Sequence, residues 1–344
     1  AEKAFREAHE IHSRIGNDLG SANALNGLGN IYRAQSRNLE AETALREAHE
    51  IHSRVGHVVG SANALDGLGE IYRAQSKNLE AEKAFREAHE IHSRVGNVVG
   101  AANALHGLGH IYRAQSKNLE AEKAFREAHE IHSRIGNDLG SANASLSLGE
   151  IYRIQSRIQE AEKFFQEAHG VYSRINDLLG IGNSFRGLGI LSIERQQFQE
   201  AQSSVCQALM AYRRAGDSFS QAQTLPILAE VYRVMGDYLQ AEESFTQALI
   251  IGVRLNDDRL QGLPLASLAR MLSSPLKYSA TLAAPLQVGA ASGEMSDDLR
   301  RGAAVHHLAK TFLVQSKHGQ AEDSYSLARG LFSRAGDRSG EAST

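Results

Sequence analysis

Disulfide-forming cysteines, long apolar runs and an excess of one charge are all missing from this sequence, and each absence excludes a class of protein. The 344 residues include one cysteine, Cys206, so no internal disulfide can form, and we expect a reducing compartment, the cytoplasm. No run of 18 apolar residues occurs and no signal peptide is visible, so no membrane span is expected. The formal net charge of −3 lacks the basic excess that general nucleic-acid binding requires.

The sequence does contain an internal repeat. Residues 1–24 are identical to residues 121–144, and a 40-residue period continues in register through the chain. Within one period, apolar residues such as Leu25, Leu28 and Tyr32 follow each other at three- and four-residue steps, and a second helical pattern begins after a short polar turn. Two amphipathic helices joined in this way form a hairpin. Such hairpins must stack, because neither helix buries its apolar face alone.

Repeated turn residues mark the helix ends. Where each second helix is predicted to end, glycine or asparagine, which tolerate the left-handed conformation, stands in every repeat but one. These residues are Gly16, Gly56, Gly96, Gly136, Asn176, Gly216, Asn256 and Gly336, with Ser296 as the exception. The next residue is asparagine or aspartate, a strong N-cap, in every repeat except at His57. The N-cap residues are Asn17, Asn97, Asn137, Asp177, Asp217, Asp257, Asp297 and Asp337.

A Leu-Gly pair, a tyrosine and an alanine followed by a large residue recur in each of the first three hairpins. They are Leu28-Gly29, Tyr32, Ala41 and Leu45, then Leu68-Gly69, Tyr72, Ala81 and Phe85, then Leu108-Gly109, Tyr112, Ala121 and Phe125. This pattern resembles the signature of the tetratricopeptide repeat. The usual tryptophan is leucine here, and the period matches a 40-residue variant like that of spindle-orienting adaptors and of fungal and bacterial signalling arrays. The resemblance implies an all-α fold, an α-solenoid in which antiparallel helix pairs form a right-handed superhelix. The small residue after leucine is expected to let the paired helices approach closely.

The register divides the chain into four segments. Residues 1–16 form a half repeat with a second helix only, and residues 17–272 form hairpins of the 40-residue period. Residues 273–296 contain Pro275 and Pro285, so the second helix of that hairpin is expected to be kinked or broken. Residues 297–344 form a last hairpin and the start of a further repeat. Pro226 is expected to bend a first helix.

One stripe on the first helices carries the candidate binding site. By resemblance to the family, first helices line the concave surface, and four positions opposite the apolar face share one side of each helix. Asparagine at the first position and arginine at the last suit peptide backbone and carboxylates, while the middle two vary between repeats. The candidate residues are Asn23, Asn26, Asn30, Arg33, Asn63, Asp66, Glu70, Arg73, Asn103, His106, His110, Arg113, Asn143, Glu150, Arg153, Asn183 and Arg186. The alternative interpretation is a solvated helix surface preserved by recent duplication.

Histidine pairs in the early repeats are a further candidate feature. His9 and His12, with their copies in the next three repeats, are three residues apart, which does not match the zinc-protease spacing. We therefore predict packing histidines, partly buried at the His9 position, rather than metal ligands. Below about pH 6, charging of neighbouring imidazoles is expected to loosen the array.

The expected function is a scaffold for protein–protein interaction that holds a peptide or partner segment in the concave groove. No catalytic set is localised by sequence, so we expect neither enzymatic activity nor a cofactor. The alternative function is the ligand-sensing repeat array of a larger signalling NTPase, since the chain begins and ends inside the repeat pattern. Proteins or peptides are the expected partners, not nucleic acid or membrane, and end-to-end self-association is a further expectation.

Overall fold

A computed structural model describes residues 1–255, 257, 259–264, 267, 302, 305, 306, 309 and 318–344 of the chain. Regular secondary structure in this part is entirely α-helical. The chain divides into two compact units, Ala1–Gly187 and Leu188–Thr344. The segments predicted from the sequence have no boundary between Gly187 and Leu188, because both residues fall within the predicted segment 17–272.

The first unit is a regular succession of helices whose starts are 20 residues apart from α2 onward. Each helix contacts the next, and turns of three residues join them, so neighbouring helices run antiparallel. The predicted all-α solenoid of antiparallel helix pairs is therefore confirmed. The helices are α1 (Glu2–Arg14), α2 (Asp18–Ala34), α3 (Asn38–Arg54), α4 (Val58–Ala74), α5 (Asn78–Arg94), α6 (Val98–Ala114), α7 (Asn118–Arg134), α8 (Asp138–Ile154) and α9 (Ile158–Arg174).

Helix α10 (Leu178–Glu194) contains the boundary between the units. The described helices that follow are α11 (Phe198–Ala215), α12 (Ser218–Met235), α13 (Tyr238–Arg254), α14 (His318–Ala335) and α15 (Arg338–Ser343). Helix α12 continues through Pro226, which is buried, so the proline does not end this helix. The segment predicted to be broken by proline, 273–296, lies outside the described residues.

Both kinds of turn contain a residue in the left-handed region. In the turns between hairpins the predicted residues adopt it, with φ from +56° at Asn176 to +72° at Gly96. In the turns within hairpins, serine occupies the left-handed position in the first four, as at Ser76 and Ser116, with φ of about +59°. The sequence did not predict serine in this conformation, because glycine adopts it at lower cost. In the sixth hairpin, Gly236 occupies the equivalent left-handed position.

The predicted N-caps also form. The side chains of Asn17, Asn97 and Asn137 each accept a hydrogen bond from a backbone N–H in the first turn of the following helix, at 2.9–3.1 Å. At His57 no such bond is present, as the break in the pattern predicted. The histidine instead lies 3.1 Å from the buried His52 imidazole, nitrogen to nitrogen.

The core lies between the helices of each hairpin and between successive hairpins. The signature alanines and large residues, such as Ala121 and Phe125, are fully buried. At Gly109 a Cβ atom would lie only 2.5 Å from the Phe125 ring, which confirms that the small residue permits close approach. Successive first helices also contact each other, α2 with α4, α4 with α6, and α6 with α8. We call the side formed by these first helices the inner face of the first unit.

A polar network recurs at the stacking interfaces. Glu122 on α7 accepts hydrogen bonds from Tyr152 Oη at 3.0 Å and from Gln155 Nε2 at 3.1 Å, both in the next hairpin. Arg157 adds two bonds of 3.0 and 3.1 Å to the same carboxylate. Burial opposes ionisation of Glu122, but these bonds outweigh it and lower its pKa. The network therefore contributes to fixing the register in which one hairpin stacks on the next.

Candidate functional site

Asparagines form an exposed row on the inner face. Asn23, Asn63 and Asn103 are exposed, and in the described part of the chain their side-chain amides have no hydrogen-bond partner. The equivalent Asn143 is also exposed, but its Oδ1 accepts a 2.7 Å bond from Tyr172 Oη. In the fifth hairpin, Asn183 is half-buried. The free amides are thus confined to the first three hairpins, where each offers a donor and an acceptor.

Arginines of the inner face fall into two groups. Arg73 and Arg153 form ion pairs with glutamates one helical turn earlier: Arg73 with Glu70 at 2.7 Å, and Arg153 with Glu150 at 3.1 Å. Arg33 is exposed and Arg113 is half-buried, and no described residue forms an ion pair with either guanidinium. Of these four inner-face arginines, those without an ion pair to a described residue therefore lie at alternate hairpins, the first and the third.

The Arg113 side chain is half-buried and carries its charge close to other charged groups. Burial lowers the pKa of its guanidinium, and the positive charges of Arg73 and Arg153 lower it further against the attraction of Glu150. The charges of arginines on three successive first helices therefore interact at this point of the inner face.

The residue at the first variable position contacts the second helix of its own hairpin. Asp66 Oδ2 lies 3.0 Å from Nε2 of His92, which is fully buried on the second helix of the same hairpin. Asn26 makes the same contact with His52 at 3.1 Å, and Leu146, which occupies this position in the fourth hairpin, packs against the cluster of Ala142, Ala168 and Tyr172. These half-buried residues serve packing between the two helices of a hairpin. This function inside the fold was not predicted from the sequence.

The third hairpin places two histidines at the variable positions. His106 and His110 are half-buried, with ring centroids 4.6 Å apart, and both rings contact Phe125. His106 Nε2 lies 3.0 Å from Ser147 Oγ on the next first helix. Burial lowers the pKa of His106 to about 4 although Glu70 raises it, and burial also holds the pKa of His110 well below its usual range. Both imidazoles are therefore neutral near pH 7.

The fifth hairpin contributes Asn183 and Arg186 on α10, both half-buried and both with side-chain interactions inside the molecule. They differ in this respect from the exposed asparagines of the first three hairpins. The asparagine row is consequently not uniform over the first five hairpins, because the amides without any hydrogen bond to a described residue are those of the first three.

Comparison with known proteins identifies the family. The family model described as tetratricopeptide repeat matches residues 1–54, 60–134 and 140–214, more than half of the chain. The chain belongs to the tetratricopeptide repeat family. Arrays of this family are protein-interaction scaffolds, and that is the function this chain has at the level the family shows. No protein with a curated description matches the sequence.

Several solved structures have the same fold as this tetratricopeptide array. Aspartyl phosphate phosphatase F from Bacillus subtilis has a TM-score of 0.57 at 12% identity, covering 96% of this chain and 94% of its own. BtubC from P. vanneervenii has a TM-score of 0.55 at 20% identity, covering 62% of this chain and 91% of its own. The apo form of RapI has a TM-score of 0.52 at 17% identity, covering 77% of this chain and 96% of its own. At these identities the likeness shows the fold alone.

The repeated histidines of this tetratricopeptide array lie at two depths. The His9 position is half-buried, as predicted, and there His9 Nδ1 lies 2.9 Å from Ser21 Oγ and His49 Nδ1 lies 2.9 Å from Ser61 Oγ. Three residues later, His52, His92 and His132 are almost completely buried, which the sequence did not predict. Their burial explains the repeated contact with the first variable position.

Within the described ranges, no group of three histidine, cysteine, aspartate or glutamate side chains is arranged to hold a metal ion. No helix among the described residues is both long and apolar enough to cross a membrane. The lone thiol, Cys206, is half-buried, and burial raises its pKa, so it is a weak nucleophile near neutral pH.

Proposed function

We propose that the inner face of the first three hairpins binds an extended segment of a partner protein through the exposed asparagine row. The observation that carries this proposal is the presence of free amides at one position of three successive first helices, Asn23, Asn63 and Asn103. Each amide matches one residue of an extended partner backbone, donating to the carbonyl of that residue and accepting from its N–H.

The spacing of the row suits an extended chain. Packed helices lie about 8–10 Å apart, and an extended strand advances about 10 Å in three residues. Successive asparagines would therefore contact every third residue of a segment that runs across the first helices. Arg33 and Arg113, which have no ion-pair partner among the described residues, would bind carboxylates of the same segment.

The test uses a displayed library of random 12-residue peptides selected against the purified chain. The selected peptides are then measured against the triple variant Asn23→Ala, Asn63→Ala, Asn103→Ala. Each lost hydrogen bond weakens binding by about 0.5–1.5 kcal/mol, so we expect the triple variant to lose at least about tenfold in affinity.

The matched control removes three equally exposed, repeated side chains from the second helices: Glu47→Ala, Glu87→Ala and Glu127→Ala. Affinity for the selected peptides should stay at the wild-type level in this control. If the asparagine variant binds as tightly as the wild type, or if no peptide binds saturably, the proposal is wrong.

A further inference from the structure

The turns of the first unit form two edges of the helical layer, away from the inner face. Turns between hairpins lie at one edge, where Val55, Val58, Val95, Val98 and Val99 are each 41–45% exposed. Turns within hairpins lie at the other edge, where Leu79 and Leu119 are 77% and 76% exposed. We call the first the valine edge and the second the leucine edge. Antiparallel helices of 17 residues separate the two edges by about 26 Å.

At the valine edge, charged side chains of the outer hairpins form ion pairs with each other. Arg54 pairs with Asp18 at 3.0 Å in the first hairpin, and Arg174 pairs with Asp138 at 2.9 Å in the fourth. Each pair joins the end of the second helix to the start of the first.

The two central hairpins have valine where the outer hairpins have this aspartate, at Val58 and Val98. The corresponding arginines, Arg94 and Arg134, are exposed and have no ion-pair or hydrogen-bond partner for their side chains among the residues described. The valine edge of the central hairpins therefore combines apolar side chains with two free positive charges.

At the leucine edge, the outer hairpins again contain arginine–glutamate ion pairs. Arg37 pairs with Glu40 at 3.0 Å in the first hairpin, and Arg157 pairs with Glu160 in the fourth. Both arginines come just before the second helix, and both glutamates lie in its first turn.

In the central hairpins lysine replaces this arginine and keeps only the contact with the glutamate of the preceding second helix, a contact that Arg37 and Arg157 also make. Lys77 contacts Glu42 of the preceding hairpin at 3.7 Å, and Lys117 contacts the equivalent glutamate of the hairpin before it at 3.9 Å. Glu80 and Glu120 are exposed, and no described residue pairs with their carboxylates. The leucine edge thus combines apolar side chains with two free negative charges, in the same two hairpins.

The two edges are complementary in charge and share one period. Free arginines at one edge are 40 residues apart in sequence, and so are free glutamates at the other. Because both sets belong to the same two stacked hairpins, a copy displaced sideways brings both charge pairs and both sets of apolar residues into register together. We propose that a second copy of this chain docks side by side, with its leucine edge on the valine edge of the first copy.

This contact is heterologous, since it joins two different edges, and it leaves one edge of each type free at the ends of a pair. Association therefore continues with rising protein concentration rather than stopping at a dimer. Exposed ion pairs are weak and screened by salt, so the association is expected to be weak and to decrease as salt increases.

The experiment measures sedimentation velocity of the full chain from about 10 µM to about 1 mM, a range that covers weak association constants. The sedimentation coefficient of the wild type should rise with concentration. The chain itself supplies the matched variants. Val58→Asp with Val98→Asp gives both central hairpins the aspartate of Asp18, and Leu79→Gln with Leu119→Gln gives them the glutamine of Gln159.

Each pair of substitutions should lower the association constant at least about tenfold. Folding is expected to be retained, because the same residues occupy these positions in neighbouring hairpins, and circular dichroism with thermal melts verifies it. If both variants associate as strongly as the wild type, the contact belongs to another surface, such as the ends of the array, and the proposal is wrong. A wild type that stays monomeric over the whole range would overturn it as well.

A charge exchange gives a stricter test. Arg94→Glu with Arg134→Glu makes both edges of one variant acidic, and Glu80→Arg with Glu120→Arg makes both edges of the other basic. Neither variant should associate alone, whereas an equimolar mixture should associate, because acidic and basic edges then alternate. A mixture that sediments as the separate variants do would contradict side-by-side docking.

Discussion

The two histidines of the third hairpin predict a measurable pH dependence of local stability. His106 has a folded-state pKa of about 4 against an ordinary value of 6.5. Above pH 6.5 the imidazole is neutral in both the folded and the unfolded chain. As the pH falls from 6.5 to about 4, the unfolded chain binds a proton here and the folded chain does not. The contribution of His106 to the free energy of unfolding therefore decreases through this window and is constant below it.

The size of the effect follows from the two pKa values. At pH 5.5 the unfolded residue is mostly protonated and the folded residue is not, which lowers the free energy of unfolding by about 1.4 kcal/mol. His110 adds to this decrease, because burial also lowers its pKa. His132 on α7 has a lowered pKa for the same reason and contributes with the same sign.

Hydrogen exchange is the appropriate assay, because repeat arrays unfold in parts and a single global midpoint averages them. Protection factors of amides in α6 and α7, corrected for the intrinsic rate at each pH, should fall by about tenfold or more between pH 7.5 and 5.5. The control variant, His106→Asn with His110→Asn, carries the residues that the first hairpin has at Asn26 and Asn30.

Between pH 7.5 and 5.5, protection factors in this variant should fall by about tenfold less than in the wild type. The decrease that remains is attributed to His132. An unchanged decrease would refute the assignment of the pH dependence to these two imidazoles. Protection that rises at pH 5.5 in the wild type would refute the sign of the pKa shift.

Three further substitutions test the local physics of the turns and the core, each by urea unfolding at pH 7.5. Ser116→Gly should raise the free energy of unfolding by about 0.5–1 kcal/mol, because glycine adopts the left-handed conformation at lower cost; a decrease would contradict the strain argument. His57→Asn should raise it by about 0.5–1 kcal/mol by adding the N-cap that Asn97 forms, and no change would indicate that the His52 contact compensates. Gly109→Ala should lower it by about 1–3 kcal/mol, because the added Cβ lies 2.5 Å from the Phe125 ring, and an unchanged midpoint would mean that the ring moves freely.

Much of the local structure could be predicted from the sequence. The ends of the second helices were predicted from glycine and asparagine, and every described one of these residues has a positive φ. The N-caps were predicted from asparagine and aspartate, and even the exception at His57 is confirmed. These features are decided by the conformational preference of one residue and by hydrogen bonds that reach three residues along the chain.

The candidate site was less accessible to prediction. Its positions were grouped by helical periodicity, which tells which residues share one side of a helix but not which of them a neighbouring helix covers. Asn63 and Asp66 lie one turn apart, yet the first is exposed with a free amide and the second contacts the buried His92.

The sequence by itself determined the repeat, the helix ends and the family, because these depend on a 40-residue pattern and on short-range interactions. Only the tertiary structure decided which histidine is buried, which variable residue serves the core, and which charges remain free. Asp66 and His92 are 26 residues apart, and Arg54 and Asp18 are 36 apart, so each contact exists only once two helices pack in register. A single substitution such as aspartate to valine at Val58 looks like neutral drift in the sequence. Its consequence, an unpaired arginine at Arg94, depends on the fold that brings the two positions together.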